Sequence, residues 1–179
     1  MRYNVFLVFL LLCFSCKETE ARRPKTHTTN NFYKELLEKN KKLNKIEERN
    51  IKLLLSKDTI HNYQISNAGF WYRYIKKDTF GTVYPKTDDV VILKYSITDV
   101  FDNVIYDEKQ VSYKVDKEDF IAGLNDGIKL MKEGEEAMFI IPSYRAYGVT
   151  GDGNKIGMNK TIKSKLQIIE IKQNQNENN

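Results

Sequence analysis

The stretch that decides the fold runs from Phe120 to Gly148, FIAGLNDGIKLMKEGEEAMFIIPSYRAYG. Leu124, Ile128 and Met131 recur at helical spacing with Gly123 and Gly127 beside them, which predicts a short apolar helix. Two positions without side chains allow that helix to lie close to a sheet. Gly134 is placed to close it, as a glycine just past a helix C-terminus does. A strand is expected next, because Ala137, Phe139 and Ile141 alternate with Glu136, Met138 and Ile140, the period of a pleated chain. Pro142 ends that strand, and an aromatic loop, Tyr144 to Gly148, follows.

Outward from this stretch the period stays near two. Phe70 to Ile75 is rich in aromatic residues and predicts a strand; Trp71, the single tryptophan, is assigned to packing. Thr79 to Asp88, with Gly81 and Pro85, is a loop. Asp89 to Val100 is a long strand with Val91, Leu93, Tyr95 and Ile97 on one face and Lys94 and Ser96 on the other. Asp102–Asn103 makes a turn, and the chain resumes at Ile105, Tyr106 and Asp107, with Val111, Tyr113 and Val115 alternating. A glycine-rich loop, Gly148 to Gly157, leads to a last strand, Lys160 to Ile171. One short helix among five or six strands describes an α+β domain with an antiparallel sheet.

The charge is uneven. The chain has 179 residues and a net charge of +5, but residues 17–57 hold 12 Lys/Arg against 6 Asp/Glu, whereas residues 58–179 hold 16 against 18. The folded part is therefore close to neutral, which argues against a nucleic-acid partner, since that needs a basic face on the domain. The basic segment suits a membrane surface.

The start of the chain explains why a membrane is near. Val5 to Phe14 is an apolar run after Arg2, too short to span a bilayer and the size of a signal-peptide core. It ends in Ser15–Cys16, which resembles the lipobox of bacterial lipoproteins, where the cysteine becomes the lipidated N-terminus. Cys13 stands where a leucine is usual; secretion with an unmodified Cys16 is the alternative. Residues 1–15 are thus expected to be a signal peptide, and residues 16–31 a lipidated, flexible tether. Residues 173–179 are a disordered tail. With Cys13 removed and Cys16 acylated, no cysteine remains for a disulfide, a nucleophile or a zinc site. His27 and His61, the two histidines, lie outside the core pattern.

Residues 32–57 predict a charged amphipathic helix. Leu36, Leu43 and Asn50 fall at heptad position a, and Phe32, Ile46 and Leu53 at d, with Lys39 interrupting. An Asn at a sets register in two-stranded coils, so a homodimer through residues 32–57 is one expectation. The other is a helix that packs on its own domain or stands as a solvated spacer.

The ordered set Y-x-P-K, V-V-I-L-K-Y, Y-D, F-I-x-G-L-x-x-G-I-x-x-M-x-x-G-E-x-A, I-I-P-x-x-x-A-Y-G and T-I-x-x-x-L-x-I-I-E-I resembles the FKBP family of peptidyl-prolyl isomerases over about residues 70–172. With the lipoprotein start, the chain resembles the lipoproteins of that family associated with gliding motility in Bacteroidota. The resemblance implies an isomerase domain within residues 58–172. There a half-wrapped antiparallel sheet would hold the short helix against its concave face, with a prolyl pocket between them. It also implies proline-containing clients in the cell envelope, and no cofactor or metal.

Carried over by position, Tyr95, Tyr106, Asp107, Phe120, Ile121, Leu124, Tyr147 and Ile156 would form the pocket. Ile121 would offer its N–H and Tyr147 its hydroxyl to the substrate, while Asp107 would be a buried acceptor ordering the site. Leu124 stands where many members carry tryptophan, and Val111 and Ser164 where many carry phenylalanine. These changes imply a wider, shallower pocket with a weaker grip on macrolide inhibitors.

Overall fold

The computed structural model describes residues 29–78 and 81–174. The signal-like run, Cys16 and the end of the tail lie outside the described residues. Contacts divide the chain into Met1–Glu38 and Lys39–Asn179; the packing below concerns the second unit.

Among the described residues, two α-helices and six strands follow in the order α1 (Thr29–Lys57), β1 (Gln64–Ile65), β2 (Trp71–Lys76), β3 (Val90–Thr98), β4 (Val104–Lys114), α2 (Ala122–Ile128), β5 (Glu136–Ile141) and β6 (Ile162–Lys172), with a 3-10 turn at Ser143–Arg145. The strands form one antiparallel sheet in the order β1-β2-β5-β6-β3-β4. Burial alternates along β3, where Val91, Leu93, Tyr95 and Ile97 face the core, and along β6, where Ile162, Ser164, Leu166 and Ile168 do.

The expected close approach is present. A Cβ on Gly127 would stand 2.6 Å from Phe139 Cε1, and one on Gly123 2.6 Å from Ile141 Cγ2. Both distances are shorter than any side-chain contact tolerates, so α2 sits on β5 at a separation only glycine permits. Leu124 and Ile128 of α2, and Met131 beyond it, are fully buried in the core. Gly134 does not close α2. The helix ends at Ile128, capped at Lys129, and Gly134 occupies the turn before β5 with φ +79°, a left-handed conformation that glycine adopts without cost.

β5 breaks its alternation at Ile140, which is buried along with its neighbours Phe139 and Ile141. The reason is on the outer face of the sheet. Ile51 of α1 is buried there with Trp71 and Ile140, and Leu55 and Tyr63 pack against them. The packed side of α1 is therefore Glu47–Ile51–Leu55, one helical position round from the heptad stripe. Leu43, Ile46 and Leu53 remain exposed. The expectation that α1 packs one side on its own domain holds over this C-terminal part.

Candidate functional site

Four parts of the chain bring the expected pocket residues together. Tyr95 comes from β3, Tyr106 and Val111 from β4, Phe120, Ile121 and Leu124 from the entry to α2, and Tyr147 and Ile156 from the loop between β5 and β6. Tyr95, Ile121, Leu124 and Ile156 are buried in the main core, and Tyr106, Val111, Phe120 and Tyr147 are half-buried against it.

Phe120 is fixed from two sides. Its ring meets Tyr95 edge-on at 5.3 Å and lies tilted on Tyr113 at 4.8 Å. Tyr113 is held in turn by its hydroxyl, which donates to Asn125 Oδ1 at 2.8 Å. Ile121 follows in an extended conformation at the N-cap of α2 (φ −61°, ψ 120°). Its carbonyl accepts from Asn125 N–H at 2.8 Å, and no described residue accepts its own N–H. A backbone donor without an internal partner needs one from solvent or ligand, which suits the role expected of it.

Tyr147 stands near Tyr95, Tyr106 and Asp152. Burial first, then those neighbours, push its hydroxyl up to about 12, so it is a proton-bearing donor throughout the neutral range. The Tyr106 hydroxyl donates to Asp152 Oδ2. Burial opposes ionisation of Asp152, but donation from Tyr106 and from the Asn154 and Ile156 backbone N–H groups holds its carboxyl below the usual range. Those two backbone bonds to Oδ1 measure 2.9 and 2.8 Å. Lys155 completes the contact, with Nζ donating to Ile105 O at 3.2 Å and lying 5.2 Å over the Tyr106 ring.

Asp107 departs from expectation. It is exposed, not a buried acceptor. The register explains this, because Ile97 pairs with Tyr106 while Tyr95 pairs with Lys109. Asp107 and Glu108 therefore oppose Ser96 alone, a bulge that breaks the inward–outward alternation. The carboxylate that meets Tyr106 is Asp152, which the sequence reading missed. Its one signal was an aspartate between Gly151 and Gly153, the kind of residue that folds a loop around its own carboxylate.

Ser164 is buried on β6, in register with Ile97 and Phe139, and its hydroxyl donates to Ser96 O at 2.8 Å. The polar group is thus satisfied. A separate groove of about 520 Å3, lined by Ile51, Leu54, Val100, Phe101, Ile105 and Ile156 among others, shares only Ile156 with the expected pocket residues. Neither Tyr147 nor Ile121 lines it.

An open six-stranded antiparallel sheet with a glycine-seated helix packed on β5 is an FKBP-like architecture. Residues 81–169 match the FKBP-type peptidyl-prolyl cis-trans isomerase family, and the chain belongs to that family. A probable FKBP-type isomerase of Neisseria meningitidis, FkpA, is 34% identical over 92 residues, which are 49% of this chain and 33% of that relative. The chain thus matches about a third of the length of that relative. Among solved structures, a peptidyl-prolyl isomerase of Pseudomonas syringae aligns with TM-score 0.60 and 18% identity, covering 74% of this chain and 96% of that one. FkpA of Escherichia coli aligns with TM-score 0.59 and 19% identity, covering 95% and 82%. These two show a shared fold.

Proposed function

We propose that the chain catalyses cis–trans isomerisation of X–Pro bonds in exported polypeptides. The observation that carries this is the Ile121 N–H, which no described residue accepts, next to the Phe120 ring packed on Tyr95, with the protonated Tyr147 hydroxyl also near Tyr95.

The chemistry needs no acid, base or nucleophile. The barrier of about 18–20 kcal/mol comes from C–N double-bond character, and uncatalysed X–Pro exchange takes roughly tens to hundreds of seconds. A twisted amide has lost conjugation and much of its charge separation, so an apolar site favours it over the planar form. Tyr95, Phe120, Leu124 and Ile156 supply the walls. A donor aimed at the carbonyl as it turns adds stabilisation that exists only at the transition state; Ile121 N–H and Tyr147 OH are those donors. Tyr106 and Asp152 hold the loop that carries Tyr147.

Tyr147→Phe removes one donor and leaves the ring. In a protease-coupled assay on a short proline peptide, kcat/KM should fall roughly tenfold, the worth of one modest hydrogen bond. A variant as active as the parent would overturn this assignment. Asp107→Ala should leave the rate near that of the parent, because its side chain is exposed rather than a buried acceptor that orders the site.

A second reading is a scaffold of the same fold that binds clients without turning them over. Val111 and Ser164 favour it, since both remove aromatic surface from the pocket; it predicts binding without acceleration. In either case we propose an envelope location with Cys16 as a lipid anchor, serving surface proteins such as those of a gliding apparatus. Cys16→Ser should move the full chain from the membrane to the soluble fraction. Exposed Leu43, Ile46 and Leu53 support pairing of two copies through α1.

A further inference from the structure

The proline site depends on a loop with no regular structure from Ala146 to Thr161, and the bonds that fix it converge on one side chain outside the family-matched segment. Glu47 of α1 places a single carboxylate between the two ends of that loop. At the front end, Oε1 accepts from Ser143 N–H and Oε2 from the Ser143 hydroxyl, each at 2.7 Å. At the far end, Oε1 accepts from the Thr161 hydroxyl at 2.5 Å. Charge-assisted bonds of this kind are about twice as strong as neutral ones.

Ser143 relays the constraint. It is 4% exposed, and its own carbonyl accepts from Ala146 N–H at 2.9 Å and Gly148 N–H at 2.8 Å. Those two amides bracket Tyr147. Gly148 O accepts from Asn159 N–H at 2.8 Å, and Tyr147 O from Gly151 N–H at 3.1 Å, which ties the front of the loop to its return. The opposite side of the turn is held by Arg145, whose guanidinium pairs with Asp126 of α2. The loop backbone is therefore suspended between two helices. Only the α2 side lies within residues 81–169, the family-matched part.

We infer that Glu47 is a positioning residue for the isomerase site: through Ser143 and Thr161 it fixes where the Tyr147 hydroxyl stands. This rests on the isomerase reading above. Glu48 has a lesser part, accepting from the Tyr144 hydroxyl at 3.0 Å, and touches neither end of the loop. A sequence reading could not find Glu47, because its partners lie 96 and 114 residues away.

The test uses the mature chain and compares Glu47→Ala and Glu47→Gln. Two readouts are taken well below the thermal midpoint, turnover of a short proline peptide and amide hydrogen exchange at Gly148 and Asn159. Glu47→Ala should lower kcat by about tenfold with KM within twofold, since a displaced donor is felt mainly in the transition state. Exchange at both amides should quicken by a similar factor. Glu47→Gln keeps an acceptor oxygen for Ser143 N–H and should recover most of kcat. Thr161→Val should lower kcat in the parent and add nothing to Glu47→Ala; Thr161→Val against the parent, with the same exchange readout, also serves if Glu47→Ala does not fold. A Glu47→Ala protein that is merely less stable, with parental kcat and parental exchange at Gly148, would overturn the inference. An inactive parent would instead overturn the isomerase reading, and the exchange at Gly148 would still decide what Glu47 holds.

Discussion

Tyr147 is the side chain on which the proposed catalysis most depends. Its hydroxyl can donate only while protonated. Burial pushes it up to about 12, so native turnover should show no break from its ionisation between pH 6 and pH 10. Stability has the opposite sensitivity. Tyr74 and Tyr144, raised chiefly by burial, also reach about 12 in the folded chain, against about 10 for an unfolded tyrosine. The unfolded state therefore binds fewer protons above about pH 10, and stability should fall as pH rises toward 12. Urea unfolding at stepped pH, followed with tyrosinate absorbance, checks this; a flat profile from pH 9 to pH 11.5 would contradict it. Asp116 sets the acid side. Lys129 first, then Thr87 and Asn125, hold its carboxyl well below the usual range. Its contribution is present above about pH 4 and fades as pH falls below that.

Elements were legible in the sequence where a local pattern decided them. Gly123 and Gly127 announced a helix seated on a sheet, and the alternation of Val91, Leu93, Tyr95 and Ile97 gave β3 with its inner face correct. Three things were not legible, two because they depended on partners elsewhere in the chain and one because a local signal misled. The bulge that exposes Asp107 is a property of pairing between β3 and β4. The burial of Ile140 needs Ile51 from a helix some ninety residues earlier. The turn at Gly134 copies the sequence signal of a helix stop, although α2 has already ended at Ile128. The glycine seat makes its own prediction. Gly127→Ala places a methyl against the Phe139 ring, whose nearest atom would be 2.6 Å away, and should destabilise the domain by about 1–3 kcal/mol. Chemical denaturation measures it; an unchanged midpoint would mean that α2 can lift from β5 without cost.

Across the whole molecule, α1 has two faces with different work. The Glu47–Ile51–Leu55 side covers the outer face of the sheet and meets the Tyr147 loop. The Leu43–Ile46–Leu53 side is exposed, and is the face proposed to pair two copies. Sedimentation of the mature chain with Ile46→Asp against the parent separates pairing from display: a mass that halves supports pairing, and identical monomers oppose it. Tyr95, Phe120, Ile121, Leu124 and Tyr147 could be singled out by position, because they belong to a spaced pattern, and the fold gathers them in and against the main core. Asp152 and Glu47 could not, because each acts through a contact that only the folded chain creates. The pocket is proposed to turn X–Pro bonds. This is tested most directly by exchange spectroscopy on a proline tetrapeptide with a catalytic amount of the mature chain. Cis and trans signals should exchange within a second, against roughly tens to hundreds of seconds unaided. Exchange no faster than that of the peptide alone, with a folded amide spectrum, would contradict it.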